Sequence, residues 1–176
     1  NTAVISGGTV TGEIAGARAV YDTAAGATHT LSNGNRVMLG SEEPTRALGM
    51  NVAGASIYGT DYRDVTTGVA GTPELTFDSA SDQIKDNELI VTTTGVSAKK
   101  VRNFDSYTFV LGDNFENKDT MLTLTETGGF GTASNVASNP AVKVDWGKVK
   151  ANTSKLTDRR GGGIHGRNNF TLMQEA

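Results

Sequence analysis

The run Asp61-Tyr62-Arg63-Asp64 sets two carboxylates three positions apart around an arginine. Held in a loop, Asp61 and Asp64 would meet over a cation or a sugar. Paired carboxylates, often with a Lys or Arg beside them, are the groups that polysaccharide lyases and hydrolases use for acid–base work. The plainer reading, a solvated turn between two strands, is preferred. Tyr58 precedes the same run and Tyr62 lies within it. An exposed tyrosine offers a flat apolar face and a hydroxyl to a sugar or a protein, whereas a tyrosine packed into the scaffold offers neither. Tyr58, Asp61, Tyr62, Arg63 and Asp64 are therefore the candidate ligand-binding residues.

Other chemistry finds less support. Gly161-Gly162-Gly163-Ile164-His165-Gly166 matches G-x-G-x-x-G literally, but a dinucleotide fingerprint needs a strand before it and a helix after it. Leu156-Thr157-Asp158-Arg159-Arg160 and Arg167-Asn168-Asn169 supply neither, so the run reads as a turn. His29 and His165 are the two histidines, far apart and without the close spacing of a zinc site. No G-x-S-x-G or Gly-Lys-Ser/Thr occurs, so a serine nucleophile elbow and a P-loop both lack their signature. Asp78, Asp82 and Asp86 form a loose acidic stretch without calcium-repeat glycines. No catalytic residue, metal or cofactor is expected.

These residues need elements to position them, and composition says which. The 176 residues include 22 Gly and three Pro, with 6% aromatic and 36% apolar side chains. Small side chains and many turn residues suit stacked β-structure better than a helix bundle. The net charge of −3 has both signs mixed, which gives no basic stripe for nucleic acid. Cysteine is absent, excluding a disulfide framework. No apolar run approaches the roughly 18 residues of a membrane-spanning helix. The Asn1 start and Ala176 end read as the bounds of a piece of a longer chain.

Strand patterns recur throughout: Arg36–Leu39 after the Asn33-Gly34 turn pair, Glu74–Asp78, Glu88–Thr92, Tyr107–Leu111, Met121–Thr125 and Val142–Trp146. Tyr107 and Phe109 alternate with Thr108 and read as core. Trp146 fits a core or an exposed role equally. The one helix-like stretch, Glu42–Leu48, contains Pro44 and allows a single turn. Gly7-Gly8-Thr9-Val10-Thr11-Gly12 lies over Gly54-Ala55-Ser56-Ile57-Tyr58-Gly59 at a spacing that fits two coils of a solenoid. Val10 and Ile14 would fill a narrow interior, and Tyr58 can point out, although packing in the coil is the preferred reading. Coils of about 20–25 residues, about eight of them, would make a rod of about 35–40 Å. The fold expected is all-β: a parallel β-solenoid over 1–176, with an antiparallel β-sandwich as the alternative for residues 74–146.

"ISGGTVTGEIAGARAV" and "NVAGASIYGTDY" resemble the glycine-rich coils in passenger domains of bacterial autotransporter adhesins. Residues 87–125 resemble a further segment of those passengers. In it, an Asn-led strand (Asn87 to Val91) precedes V-x-x-V-x-N-F-x-x-Y-x-F, whose last nine positions are seen here as Val101 to Phe109, and then Asp119 to Thr125. The resemblance spans roughly residues 4–130, and residues 131–176 continue it without a placed motif. Ala15-Gly16-Ala17-Arg18 stands where the family carries aromatics, and a translocator barrel is lacking. The resemblance implies a right-handed parallel β-helix and a non-enzymatic protein of the bacterial cell surface, active in adhesion or as a rigid stalk. Its partners would be a host-surface protein or glycan, with no membrane insertion by this segment. Parallel β-helices also carry polysaccharide-active enzymes, which remain the alternative.

Overall fold

The structure is a computed structural model that describes residues 1–21, 33–64, 85–129, 140–150 and 170–176, without the side chains of residues 20, 21 and 62–64. Ten strands follow one another: β1 (Thr2–Ile5), β2 (Glu13–Tyr21), β3 (Arg36–Leu39), β4 (Val52–Asp64), β5 (Glu88–Val91), β6 (Val96–Arg102), β7 (Ser106–Val110), β8 (Thr120–Leu124), β9 (Ala141–Asp145) and β10 (Thr171–Glu175). Among the described residues there is no helix. Glu42–Leu48, expected to make one turn of helix, runs as bends and turns. The strand expected at Glu74–Asp78 falls outside the described residues, as do His29, His165 and the G-x-G-x-x-G run.

Odd strands form one five-stranded sheet, in the order β1-β3-β5-β7-β9. Even strands form another, β10-β8-β6-β4-β2. Every pairing between these strands is parallel. The chain thus crosses from one sheet to the other at each strand, and each odd strand with the following even strand makes one coil. This is the architecture of a parallel β-solenoid. It excludes the antiparallel sandwich, whose neighbours would be hairpins.

The coil dimensions differ from those expected. Among the described residues there are five coils where about eight were expected, so their stack rises about 20 Å at about 4.8 Å per strand. The step from coil to coil is uneven. Thr2 pairs with Arg36, Arg36 with Glu88, Glu88 with Ser106 and Ser106 with Ala141, steps of 34, 52, 18 and 35 residues. Only the third step approaches the expected coil length. The rest carry inserted chain, which a stack tolerates because only the strands must superpose.

The core is a set of columns. In the odd sheet Val37, Leu89 and Tyr107 align, as do Leu39, Val91 and Phe109, all of them buried. Ile57 and Val101 align in the even sheet, with Ile14 stacked on Ile57. Both sheets feed one apolar cluster, against which Val10 packs. Burial pushes the Tyr107 phenol to a raised pKa.

A polar ladder runs beside these columns. Asn1, Asn35, Asn87 and Asp105 each immediately precede a strand of the odd sheet. The Asn1 side-chain amide donates to Asn35 Oδ1 (3.2 Å). The Asn35 backbone N–H donates to Asn87 Oδ1 (2.9 Å), and the Asn87 N–H to Asp105 Oδ2 (3.0 Å). Buried Thr60 receives the Asn35 and Asn87 side-chain amides on its hydroxyl (3.1 and 3.3 Å) and the Asn103 amide on its carbonyl (2.8 Å). The ladder satisfies polar groups that a turn into the core would otherwise strand.

Asp105 puts a carboxyl where the three preceding coils have an amide. Burial raises its pKa above the ordinary 3.8, and the bond from the Asn87 N–H offsets only part of that. A raised folded-state pKa means that the folded state holds the proton more tightly than the unfolded chain. This contribution to stability is fully present below the unfolded value and is lost as pH rises through the folded one. Asp105→Asn keeps the acceptor and removes the charge. The urea midpoint of the variant, relative to the parent, should therefore climb from about pH 4 to pH 7. A constant difference across that range would show that Asp105 does not titrate in this way.

Candidate functional site

All five candidate residues lie on β4, a strand of 13 residues. The loop or turn proposed around Asp61 and Asp64 is therefore extended strand. Tyr58 pairs with Ala15 on β2 and with Arg102 on β6. It alternates with Ile57 and is only 4% exposed, so it packs in the coil, the preferred reading, and offers no outward contact. Lys100 Nζ stands 5.9 Å from its ring centre, within reach of a cation–π contact. Tyr62, Arg63 and Asp64 complete the strand in register with Ala19, Val20 and Tyr21. Their side chains belong to the part not described.

Asp61 is 1% exposed. Arg18, its register partner on β2, donates from Nε to Asp61 Oδ2 at 2.8 Å and from a terminal nitrogen to Glu13 Oε2 at 2.6 Å. One guanidinium thus joins a buried and an exposed carboxylate. So held, the Asp61 carboxylate is out of reach of a polysaccharide. Its geometry fits a fastening between the first two coils.

The register also revises the repeat. Thr9 bridges to Asn51, and Glu13, Ile14 and Ala15 pair with Ser56, Ile57 and Tyr58. The two glycine segments therefore sit in adjacent coils, not two coils apart, and the equivalent of Gly59 is Gly16, not Gly12. Gly16 and Gly59 pass close to the asparagine ladder. A Cβ on Gly16 would lie 3.0 Å from Asn35 Cβ, and one on Gly59 would lie 2.7 Å from Asn87 Cβ.

A surface that the short motifs did not reveal lies where the chain leaves the odd sheet. After β5 it passes to β6 through buried Thr92, Thr93 and Thr94, whose hydroxyls bond Ser41, Thr45, Ala47 and Leu48. The longer connections after β3, β7 and β9 meet around this short one. Arg46 grips Asp119 with two nitrogens, at 2.8 and 2.9 Å. Lys148 Nζ reaches Glu43 Oε1 at 3.0 Å, across 105 residues of sequence. The Lys150 backbone N–H donates to Asp113 Oδ1 at 2.9 Å. Glu43, Pro44, Gly112, Asp113, Asn114, Lys148 and Lys150 line a groove of about 200 Å3. Half-exposed Trp146 precedes the two lysines in sequence.

Chemically, this groove offers charged and amide groups for recognition. Lys148 already pairs with Glu43, so charge is balanced within the groove. Among the described residues, no three His, Asp or Glu side chains converge to hold a metal ion. The sequence signals here, Glu42-Glu43-Pro44 and Trp146-Gly147-Lys148-Val149-Lys150, are too ordinary and too far apart to be joined without the fold.

Fold and site together define a parallel β-solenoid with a polar groove on one corner. No protein-family model matches this sequence, and comparison with the curated proteins and with the solved structures returned no match. Among the described residues no helix is long and apolar enough to cross a membrane.

Proposed function

We propose that this chain is a non-enzymatic scaffold of a bacterial cell surface, a passenger-type β-solenoid that acts as a stalk or an adhesin. The observation that carries this reading is the unbroken parallel stacking of both sheets through five coils. Such a stack holds its loops at fixed heights, so a partner can meet several weak contacts at once. The polar groove is the natural contact point, because three connections from different coils build it. The partner would be a host-surface protein or a glycan, met outside the cell.

A glycan and matrix-protein array tests the reading when run beside a polysaccharide turnover screen. Binding that Lys148→Glu with Lys150→Glu abolishes would support an adhesin working through the groove. Silence on the array together with no turnover would favour the stalk. Turnover of any polysaccharide would overturn the non-enzymatic reading.

A further inference from the structure

We propose that the groove between the connections after β3, β7 and β9 takes a neutral sugar residue, whose hydroxyls Glu43 and Lys148 hold. This ligand class rests on the surface-scaffold reading and narrows its partner to a glycan. The groove's volume of about 200 Å3 lies below the roughly 300–1,000 Å3 of sites for drug-sized ligands, which suits a single monosaccharide ring. A protein partner of standard size would need roughly 800 Å2 of surface on each side, far more than so small a groove lines.

Charge separates a neutral sugar from an acidic one. Among the lining residues two carboxylates, Glu43 and Asp113, stand against two lysines, Lys148 and Lys150. Lys148 Nζ lies 3.0 Å from Glu43 Oε1. A uronic or sialic carboxylate would have to draw Lys148 from Glu43 and then lie beside like charges. A hydroxyl meets no such penalty, because it both donates and accepts.

The ion pair presents the groups a sugar needs. An ammonium has three N–H donors and a carboxylate two oxygens. The bond from Lys148 to Glu43 uses one of each, and both side chains are exposed, so a donor and an acceptor stand side by side. Neighbouring hydroxyls of a pyranose ring can answer both at once, one accepting from Lys148 Nζ and the other donating to Glu43 Oε2. Hydrogen bonds to charged groups are stronger than those between neutral ones. The Asn114 amide adds a further donor and acceptor. Trp146 opens the turn that carries Lys148, since the Val149 N–H donates to the Trp146 carbonyl at 2.9 Å. It brings an exposed aromatic ring, whose flat apolar face suits the C–H face of a sugar. The walls are fixed before a ligand arrives. A Cβ on Gly112 would lie 2.8 Å from the Pro44 carbonyl oxygen, so the connections after β3 and β7 touch. Asp113 Oδ1 holds the Lys150 N–H and ties in the connection after β9. Such a groove loses little ordering entropy on binding.

Tryptophan emission reads the site, because Trp146 is the one tryptophan of the 176-residue chain. The methyl glycosides of glucose, galactose, mannose and N-acetylglucosamine are titrated in turn, with saturation-transfer NMR as the independent readout. At least one should bind saturably, with a Kd of about 1 mM or tighter. Lys148→Met and Glu43→Gln, both changes at exposed side chains, should each weaken that binding at least about tenfold. Glucuronic acid should bind no more tightly than the glucose glycoside. Affinity should change less than about twofold between about 50 and 500 mM salt, as for an uncharged ligand. Silence from all four glycosides in both readouts would overturn the proposal. So would binding that both variants leave intact, or a preference for the uronic acid. The site and the scaffold fail separately. A matrix protein bound through the groove, with every sugar silent, would refute the sugar and leave the scaffold standing. A sugar held in the groove and cleaved from a longer chain would leave the site and refute the non-enzymatic scaffold.

Discussion

Phe109→Ala should cost about 3–5 kcal/mol of folding stability, read as a lower urea midpoint. Phe109 is 1% exposed on β7, stacked between Val91 of the coil before and Val144 of the coil after. Truncation removes the ring's transfer free energy and leaves a cavity between two strands fixed by their own ladders. Those strands cannot move together without breaking parallel pairs, so little of the cavity can collapse. Natural domains are stable by only about 5–15 kcal/mol, so the loss is a large share of the whole. Val144→Ala is the control. It lies one coil further along the same column, but 36% exposed, and should cost under about 1 kcal/mol. Equal losses at both positions would show that the two side chains are equally buried in solution.

Gly59→Ala should cost about 3 kcal/mol or more of folding stability, while Gly12→Ala should be nearly neutral. A Cβ on Gly59 would approach the Asn103 carbonyl oxygen to 2.2 Å and the Asn87 Cβ to 2.7 Å. Neither is the free end of a flexible side chain. Asn103 sits at φ 59° in the turn that ends β6, and its side chain holds the Thr60 carbonyl. Asn87 is a rung of the buried ladder. Relief of the clash would therefore disturb two hydrogen-bonded residues at once. A Cβ on Gly12 meets nothing within 4 Å. Thermal melts of the two variants decide the matter, and similar melting temperatures would refute the assigned register. In the glycine alignment read from sequence, Gly12 and Gly59 were equivalents and should have behaved alike.

That contrast shows what was legible. Alternation in Tyr107-Thr108-Phe109 marks a strand with one buried face, because side chains on a strand alternate between faces. Arg36–Leu39, Glu88–Val91, Met121–Leu124 and Val142–Asp145 were marked in the same way, each to within a residue or two at its ends. Glycine and small inward residues pointed to coils. The candidate site fared differently. Asp61 and Tyr58 are polar-tipped residues between glycines and acids, a pattern that suits an exposed loop. Their burial comes from β2, Lys100 and the ladder, none of them near in sequence. The groove of Glu43, Asp113 and Lys148 had no local pattern to betray it.

Local sequence determined the class of element, through side-chain alternation and turn residues acting over a few positions. It also determined that the elements stack, since so small a stock of large apolar side chains fills a narrow interior better than a wide one. Only the tertiary structure decided which strands are neighbours. Register depends on matching whole columns across insertions of different length, and a shift of a few residues between two glycine segments costs nothing locally. It decided equally that Arg18 answers Asp61 and that Gly16 answers Gly59. Those facts follow from the order in which coils are laid down, where the physical neighbour is the adjacent coil and not the adjacent residue.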